Sequence, residues 1–154
     1  MRSIMFSLPD GRLCIMHPVK NTFPFPEAIT DAAAEERAWN TLPSEALNPT
    51  WISRDQIPGD RTFRNGWEAK DGSISFNLDK CKEIHRDKLR RLRAPKLLVL
   101  DVQYMLADER GDVTTKREIA AQKQVLRDIT ALPEIEAAKT PDELKRILPQ
   151  VLQE

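Results

Sequence analysis

The chain changes character at Asn77, and this change constrains the fold more than any other feature of the sequence. From there to the C-terminus most residues are good helix formers, and apolar residues recur at spacings of three and four. Before Asn77, turn signals separate short runs that suit strands. The sequence therefore predicts an α+β protein, with a small α+β unit over residues 1–77 and a helical part over residues 78–154.

The α+β unit is predicted to open with a β-hairpin. Two short apolar runs, residues 2–8 and 13–16, flank Pro9-Asp10-Gly11. Proline presets φ for a turn and glycine accepts positive φ, so this tripeptide favours a tight reversal. A continuous helix is predicted next, over residues 27–42, with Pro43 ending it.

Further short strands are predicted between the helix and Asn77. Residues 50–53 and 61–63 are two candidates. Residues 66–69 and 73–76 flank Asp71-Gly72, a dipeptide that strongly favours a hairpin turn. The first unit is thus predicted to contain a hairpin, a helix and a second segment of short strands.

The helical part is predicted to begin with one long helix from about Leu78 to Glu109. Pro95 lies inside it, and proline removes a backbone donor and crowds the preceding turn. We therefore expect Pro95 to kink or divide this helix. Gly111-Asp112 then predicts a helix end followed by a turn.

A second helix follows this turn. Thr114 or Thr115 is the predicted cap, and Glu118 would complete a capping box if Thr115 is the cap. Pro133 is predicted to close the helix. Two long helices joined by a tight turn form an antiparallel helical hairpin.

A short terminal helix is predicted over residues 140–152, because threonine, proline and acidic residues open it. Two helices cannot enclose a core by themselves. The outer apolar residues Leu98, Val102 and Leu106 therefore need a third surface. That surface is the terminal helix, the first unit or another chain.

Charge and cysteine content exclude several classes of function. Lysine plus arginine and aspartate plus glutamate both number 24, so no overall attraction to nucleic acid or to an anionic membrane is expected. No apolar run approaches the roughly 18 residues of a membrane span. The two cysteines, Cys14 and Cys81, are far apart in sequence and are expected to be free thiols.

Catalytic and metal-binding patterns are weak. Cys81 and His85 are spaced to share a helix face, but a zinc site would also need Cys14 and His17 from the N-terminal hairpin. The chain has no nucleophile elbow and no phosphate-binding loop. We therefore expect no enzyme activity, no cofactor and no metal; a small metalloprotein using these four residues is the remaining hypothesis of that kind.

A basic run over residues 80–96 gives an alternative, a nucleic-acid-binding regulatory protein. Arg90, Arg91 and Arg93 are its candidate phosphate contacts. Acidic residues in the same run partly cancel this charge, and the basic residues spread around the helix. The competing interpretation is an ordinary helix exposed to solvent or to a protein.

Aromatic and arginine side chains alternate over residues 60–67. Such residues anchor protein interfaces, but in a small sheet they also fill the core, and both interpretations stay open. The candidate partner-binding residues are Trp51, Arg61, Phe63, Arg64 and Trp67, together with Leu98, Val102 and Leu106.

Two helical segments resemble small bacteriophage proteins encoded near tail genes, including tail-fibre assembly proteins. These segments are KLRRLR at residues 88–93 and QKQVLRDI at residues 122–129. Residues 60–67 also resemble a recurring feature of uncharacterised phage proteins. The chain differs from the assembly proteins in lacking a tryptophan-containing segment between the two helices and in carrying the extra terminal helix.

The resemblance implies a phage structural protein or assembly chaperone that works by protein–protein binding. Its partners would be tail or particle subunits, in a homo-oligomer or a hetero-complex. It would act in the bacterial host cytoplasm during assembly or in the virion. The resemblance implies no catalytic residues.

Overall fold

The computed structural model describes residues 1–20 and 29–153. Small antiparallel sheets and a long helical hairpin make up the fold, so the α+β prediction is confirmed. The chain divides into two compact units, Met1–Asn77 and Leu78–Glu154.

A three-stranded antiparallel sheet forms the centre of the first unit. Its strands are β1 (Ser3–Ser7), β2 (Leu13–Met16) and β3 (Leu47–Ile52), in the order β2-β1-β3. The β1–β2 hairpin was predicted, and Gly11 takes the positive φ of 79° that its turn requires. The central strand β1 is buried, as expected for a strand paired on both edges.

Helix α1 (Asp31–Asn40) packs against this sheet. The predicted continuous helix over residues 27–42 is wrong. Thr30 is extended, and its hydroxyl caps the helix by accepting from the Ala33 amide at 3.3 Å. Residues 27 and 28 lie outside the described residues.

The apolar core of the first unit joins α1 to the sheet. Small side chains on α1, such as that of Ala38, allow the helix to pack close to the sheet. The core residues are Ile4, Phe6 and Ala38, packed against Leu8, Cys14, Met16, Leu42, Ala46 and Trp51.

A second hairpin, β4 (Trp67–Lys70) and β5 (Ser73–Phe76), forms as predicted. Asp71 and Gly72 have φ of 51° and 73°. Two successive residues with positive φ make the type I′ turn, whose twist matches that of the paired strands.

The predicted strand over residues 61–63 is wrong. The Asp60 carboxylate accepts from the Thr62 amide at 2.8 Å, and the Arg64 amide donates to the Arg61 carbonyl at 3.0 Å. A 3₁₀ turn follows at Arg64–Gly66. These local bonds satisfy backbone groups that a strand would have paired with a neighbour.

The second unit begins with α2 (Leu78–Glu109), whose ends match the prediction. Pro95 does not divide it. Proline leaves the Arg91 carbonyl without its usual intrahelical donor. Pro95 is exposed, so water can bond that carbonyl.

Helix α3 (Val113–Asp128) returns antiparallel to α2 after Gly111, which has a φ of 69°. The helical hairpin was predicted, but its cap was not. Asp112 caps α3, accepting from the Thr115 amide at 3.0 Å and the Thr115 hydroxyl at 2.7 Å. The predicted Thr115–Glu118 capping box is wrong because the carboxylate of Asp112, three residues before Thr115, is the stronger acceptor.

The prediction that Pro133 closes α3 is wrong, because Pro133 opens another helix. After α3, a 3₁₀ turn spans Ile129–Ala131. The short helix α4 (Pro133–Ala137) then begins with proline at its first position. Proline suits that position because its missing N–H would have no partner there anyway.

Helix α5 (Pro141–Arg146) starts where predicted, with the Thr140 hydroxyl accepting from the Glu143 amide at 3.2 Å. It ends at Arg146 rather than near Leu152. Pro149 disfavours helical geometry at the residue before it, so the last residues form only a 3₁₀ turn.

Candidate functional site

The second half of α2 carries a row of exposed apolar side chains. Leu98, Val102 and Met105 are 66%, 53% and 62% exposed. They recur at steps of three and four residues and so share one side of the helix. We call this surface the α2 face; its residues are Leu92, Leu98, Val99, Val102, Met105 and Leu106.

A different side of α2 is polar and bonded to α3. Lys123 pairs with Asp101 at 2.6 Å, and Lys116 pairs with Asp108. The ammonium groups of both lysines lie near the Tyr104 ring, 5.0 Å and 5.4 Å from its centre. These contacts close the hairpin along its polar side, while the α2 face stays exposed among the described residues.

An open groove between α2 and α3 adjoins the α2 face. Its volume is about 670 Å³, and Val99 and Leu100 line it from α2 while Val125 lines it from α3. Val99 belongs to both surfaces, which makes them continuous. A surface of this kind can bind apolar side chains of another helix.

Only part of this surface was predicted from the sequence. Leu98, Val102 and Leu106 were predicted to be outer apolar residues, and all three are exposed. Val99 and Met105 were missed as site residues. Their three- and four-residue spacing from the others was a signal already present in the sequence.

The aromatic residues predicted as interface anchors lie mostly inside the first unit. Phe63 and Trp67 are buried, which favours the core interpretation. Trp51 is half-buried, stacks on Trp39 with ring centres 5.2 Å apart, and has the Arg2 guanidinium 4.7 Å from its own ring. Of the predicted aromatic anchors, Trp51 alone keeps part of its surface exposed.

Arg61 and Arg64, by contrast, are exposed and belong to a basic cluster around His17. A pocket of about 210 Å³ is lined by His17, Arg54 and Arg61. Partial burial lowers the pKa of His17, and the charges of Arg54, Arg61 and Arg64 lower it further. This cluster suits a carboxylate or another anionic group. Its members are too far apart in sequence for pattern analysis to have found it.

All three predicted phosphate contacts form bonds within the second unit. Arg90 pairs with Asp87 at 2.5 Å. Arg93 donates to the carbonyls of Leu126 and Arg127 at 3.2 Å and 2.7 Å, which satisfies acceptors at the end of α3. Arg91 donates from Nε to the Asp87 carbonyl at 3.3 Å.

Other members of the basic run are also paired. Lys82 and Arg86 both bind the Glu136 carboxylate, and Arg86 also binds Glu83 at 2.5 Å. The two pairs to Glu136 connect α2 to α4. The basic run therefore works largely within its own unit, which weakens the nucleic-acid alternative.

The cysteine and histidine side chains form no metal site in the described part of the chain. Within residues 1–20 and 29–153, no group of three or more His, Cys, Asp or Glu side chains is placed to hold a metal ion. Cys81 and His85 are buried at consecutive turns of α2. His85 is hydrogen-bonded to the backbone of Ile147, and burial lowers its pKa.

Acidification should therefore destabilise the second unit through His85. The folded chain holds the pKa of His85 below the ordinary value of 6.5, so the unfolded chain takes up the proton first as pH falls. Stability that is present above pH 6.5 is then lost as the pH decreases below that value. Urea unfolding followed by far-UV circular dichroism, at a series of pH values through this range, measures the loss.

The control for this pH effect is His85→Gln, which keeps a hydrogen-bond donor but does not titrate. Its free energy of unfolding should fall less than that of the wild type over the same pH range. Equal pH dependence of the two proteins would contradict the role of His85. Because the comparison concerns the slope with pH, a constant loss of stability in the variant does not affect it.

The α2 face and its groove form a broad run of exposed apolar surface on the second unit. None of the helices in residues 1–20 and 29–153 is both long enough and apolar enough to cross a membrane. No protein-family model, curated protein or solved structure matches the chain.

Proposed function

We propose that this protein acts by binding other proteins, as a structural or assembly component of a bacteriophage particle. The observation that carries the proposal is the exposed α2 face with its adjoining groove. Large contiguous apolar patches on a protein surface mark interaction sites. The occupant is either a second copy of the chain or another particle subunit.

The chemistry of the face favours a helical protein partner. Its residues are aliphatic or methionine, and the groove beside it is open along the hairpin. A helix with apolar residues at three- and four-residue spacing would fill such a surface. The residues that line the groove include no acid–base or nucleophile pair, which suits a binding role for this surface.

The basic cluster of the first unit supports a second protein contact. Arg54, Arg61 and Arg64 bring three guanidinium groups near His17. Arginine binds carboxylates through two parallel hydrogen bonds. An acidic surface on a tail or particle subunit is the partner that this cluster would suit.

The phage setting is supported by the resemblance of residues 88–93 and 122–129 to phage tail-region proteins. These segments lie on α2 and α3, the two helices of the hairpin. A tail-fibre assembly chaperone is one form that the proposed role would take. The protein would then act in the bacterial host cytoplasm during assembly or remain in the virion.

The test is co-purification of the full chain with each tail and particle subunit of its phage, followed by native mass measurement. The wild type should form a complex with at least one of these subunits, whether or not it also associates with itself. Val102→Glu places a charge in the α2 face and should weaken that complex at least about tenfold. Ala120→Glu is the matched control, because Ala120 is exposed on α3 and does not line the groove.

Both glutamate variants should keep the wild-type far-UV circular dichroism, which separates lost binding from lost folding. A wild-type chain that stays monomeric with every subunit would overturn the proposal. So would a complex that Val102→Glu leaves intact.

A further inference from the structure

The α2 face has the spacing of a helix that packs in a bundle. Leu92, Pro95, Val99, Val102 and Leu106 follow one another at alternating steps of three and four residues. That is the a/d pattern of a coiled-coil seam. Leu98 and Met105 directly precede Val99 and Leu106, which occupy a positions, and so widen the seam. Such a wider apolar face is typical of bundle helices.

The exposed area is large for a surface that stays uncovered. The six side chains of the α2 face are 40–66% exposed. Together they present roughly 500 Å² of apolar surface, near the upper limit for the largest patch on a monomer. Covered by the same surface of another molecule, the face would bury roughly 1,000 Å² in total, the lower end for a specific interface.

The two ends of the face carry opposite charges. Arg91 and Glu109 are 18 residues apart, which is five turns of an α-helix, so both lie on the same line along α2. Both are exposed, and the Arg91 Nε donates to the Asp87 carbonyl of the same helix. An exposed arginine thus lies at one end of the apolar row and an exposed glutamate lies at the other.

This arrangement is complementary to itself when two copies of α2 run antiparallel. A two-fold axis near Leu100 sets each Arg91 opposite the Glu109 of the other molecule. The same axis sets Leu98 opposite Val102. A parallel pair would instead put Arg91 against Arg91 and Glu109 against Glu109, and like charges repel.

We infer that the occupant of the α2 face is a second copy of this chain, paired antiparallel through α2. The two helical hairpins then pack against each other through their α2 helices. The inference rests on the proposed function in one respect, since it takes the α2 face to be a protein-binding surface. It goes further by naming the partner, its orientation and the charged pairs that set the register.

The first measurement is sedimentation equilibrium of the full chain across the micromolar range. The wild type and Ala120→Glu should sediment as dimers. Val102→Glu brings two like charges close to the axis and should raise the dissociation constant about a hundredfold. A wild type that remains a monomer at every concentration would overturn the inference.

Charge exchange at the ends of the face tests the orientation. Arg91→Glu and Glu109→Arg, each alone, should raise the dissociation constant about tenfold, because two attractive pairs become repulsive. Mixing the two single variants should restore wild-type affinity, and so should combining both changes in one chain. Unchanged affinity in the single variants, or no recovery on mixing, would exclude the antiparallel register.

The outcomes separate this inference from the proposed function. A chain that is monomeric alone but binds a particle subunit through Val102 keeps the proposed function and loses the inference. A chain that dimerises through the face but binds no tail or particle subunit keeps the inference and loses the phage assembly role. A chain that forms neither the dimer nor a complex with a particle subunit would overturn both the inference and the proposed function.

Discussion

Replacing Phe63 with alanine should lower the free energy of unfolding of the first unit by about 3–5 kcal/mol. Phe63 is only 2% exposed, so the change removes a buried ring and leaves a cavity that its neighbours fill only in part. The size of this effect separates a core residue from an interface residue. Truncation of an exposed interface residue would instead weaken partner binding and leave the free energy of unfolding nearly unchanged.

Tryptophan fluorescence during urea unfolding measures this change, because Trp39, Trp51 and Trp67 all belong to the first unit. The matched control is Phe76→Ala: Phe76 is 38% exposed and should lose about 1 kcal/mol or less. A wild-type urea midpoint for Phe63→Ala would contradict the buried core position of Phe63.

Replacing Leu144 with alanine should lower the free energy of unfolding of the second unit by about 2–5 kcal/mol. Leu144 has no exposed surface, and α5 has only six residues. A helix that short has no stability of its own in water, so its position depends on its buried side chain. Loss of this anchor also exposes the neighbouring contact between His85 and the Ile147 backbone.

Far-UV circular dichroism in urea measures the second change. Leu148→Ala is the control, since Leu148 is 40% exposed and its truncation should cost about 1 kcal/mol or less. Equal urea midpoints for the two variants would show that α5 is not held by Leu144. Tyr104 fluorescence gives an independent probe, because Tyr104 is the only tyrosine in the chain and lies on α2.

Sequence patterns located the elements whose signals are local. The bounds of α2 follow from a long run of helix formers that ends at Gly111. The β4–β5 hairpin follows from Asp71-Gly72, because few other residue pairs accept two positive φ angles. Each of these signals depends on residues close together in sequence, and in the fold no distant contact overrides it.

The errors arose where two local signals competed. Asp112 and Thr115 are both good helix caps, and the carboxylate took the position. Pro133 is able to end one helix or begin another, and α4 shows that it begins one. At residues 61–63 the side chain of Asp60 formed a turn where spacing had favoured a strand.

The candidate site was only half visible for a different reason. Spacing showed that Leu98, Val102 and Leu106 share one side of α2, and it showed equally that Phe63 and Trp67 are apolar anchors of some kind. It did not show which of these surfaces the chain covers with its own atoms. In the fold the two aromatic rings are enclosed and the α2 face is not.

The sequence by itself therefore determined the bounds of α2, the two β-hairpins, the helical hairpin and the amphipathic side of α2, because dihedral preferences and residue spacing act over short distances. The tertiary structure alone decided which apolar side chains are buried, how Arg54 and Arg61 meet at His17, and that Arg93 binds the end of α3. Burial and long-range pairing depend on what packs against a surface, and the periodicity of one segment carries no information about its neighbour.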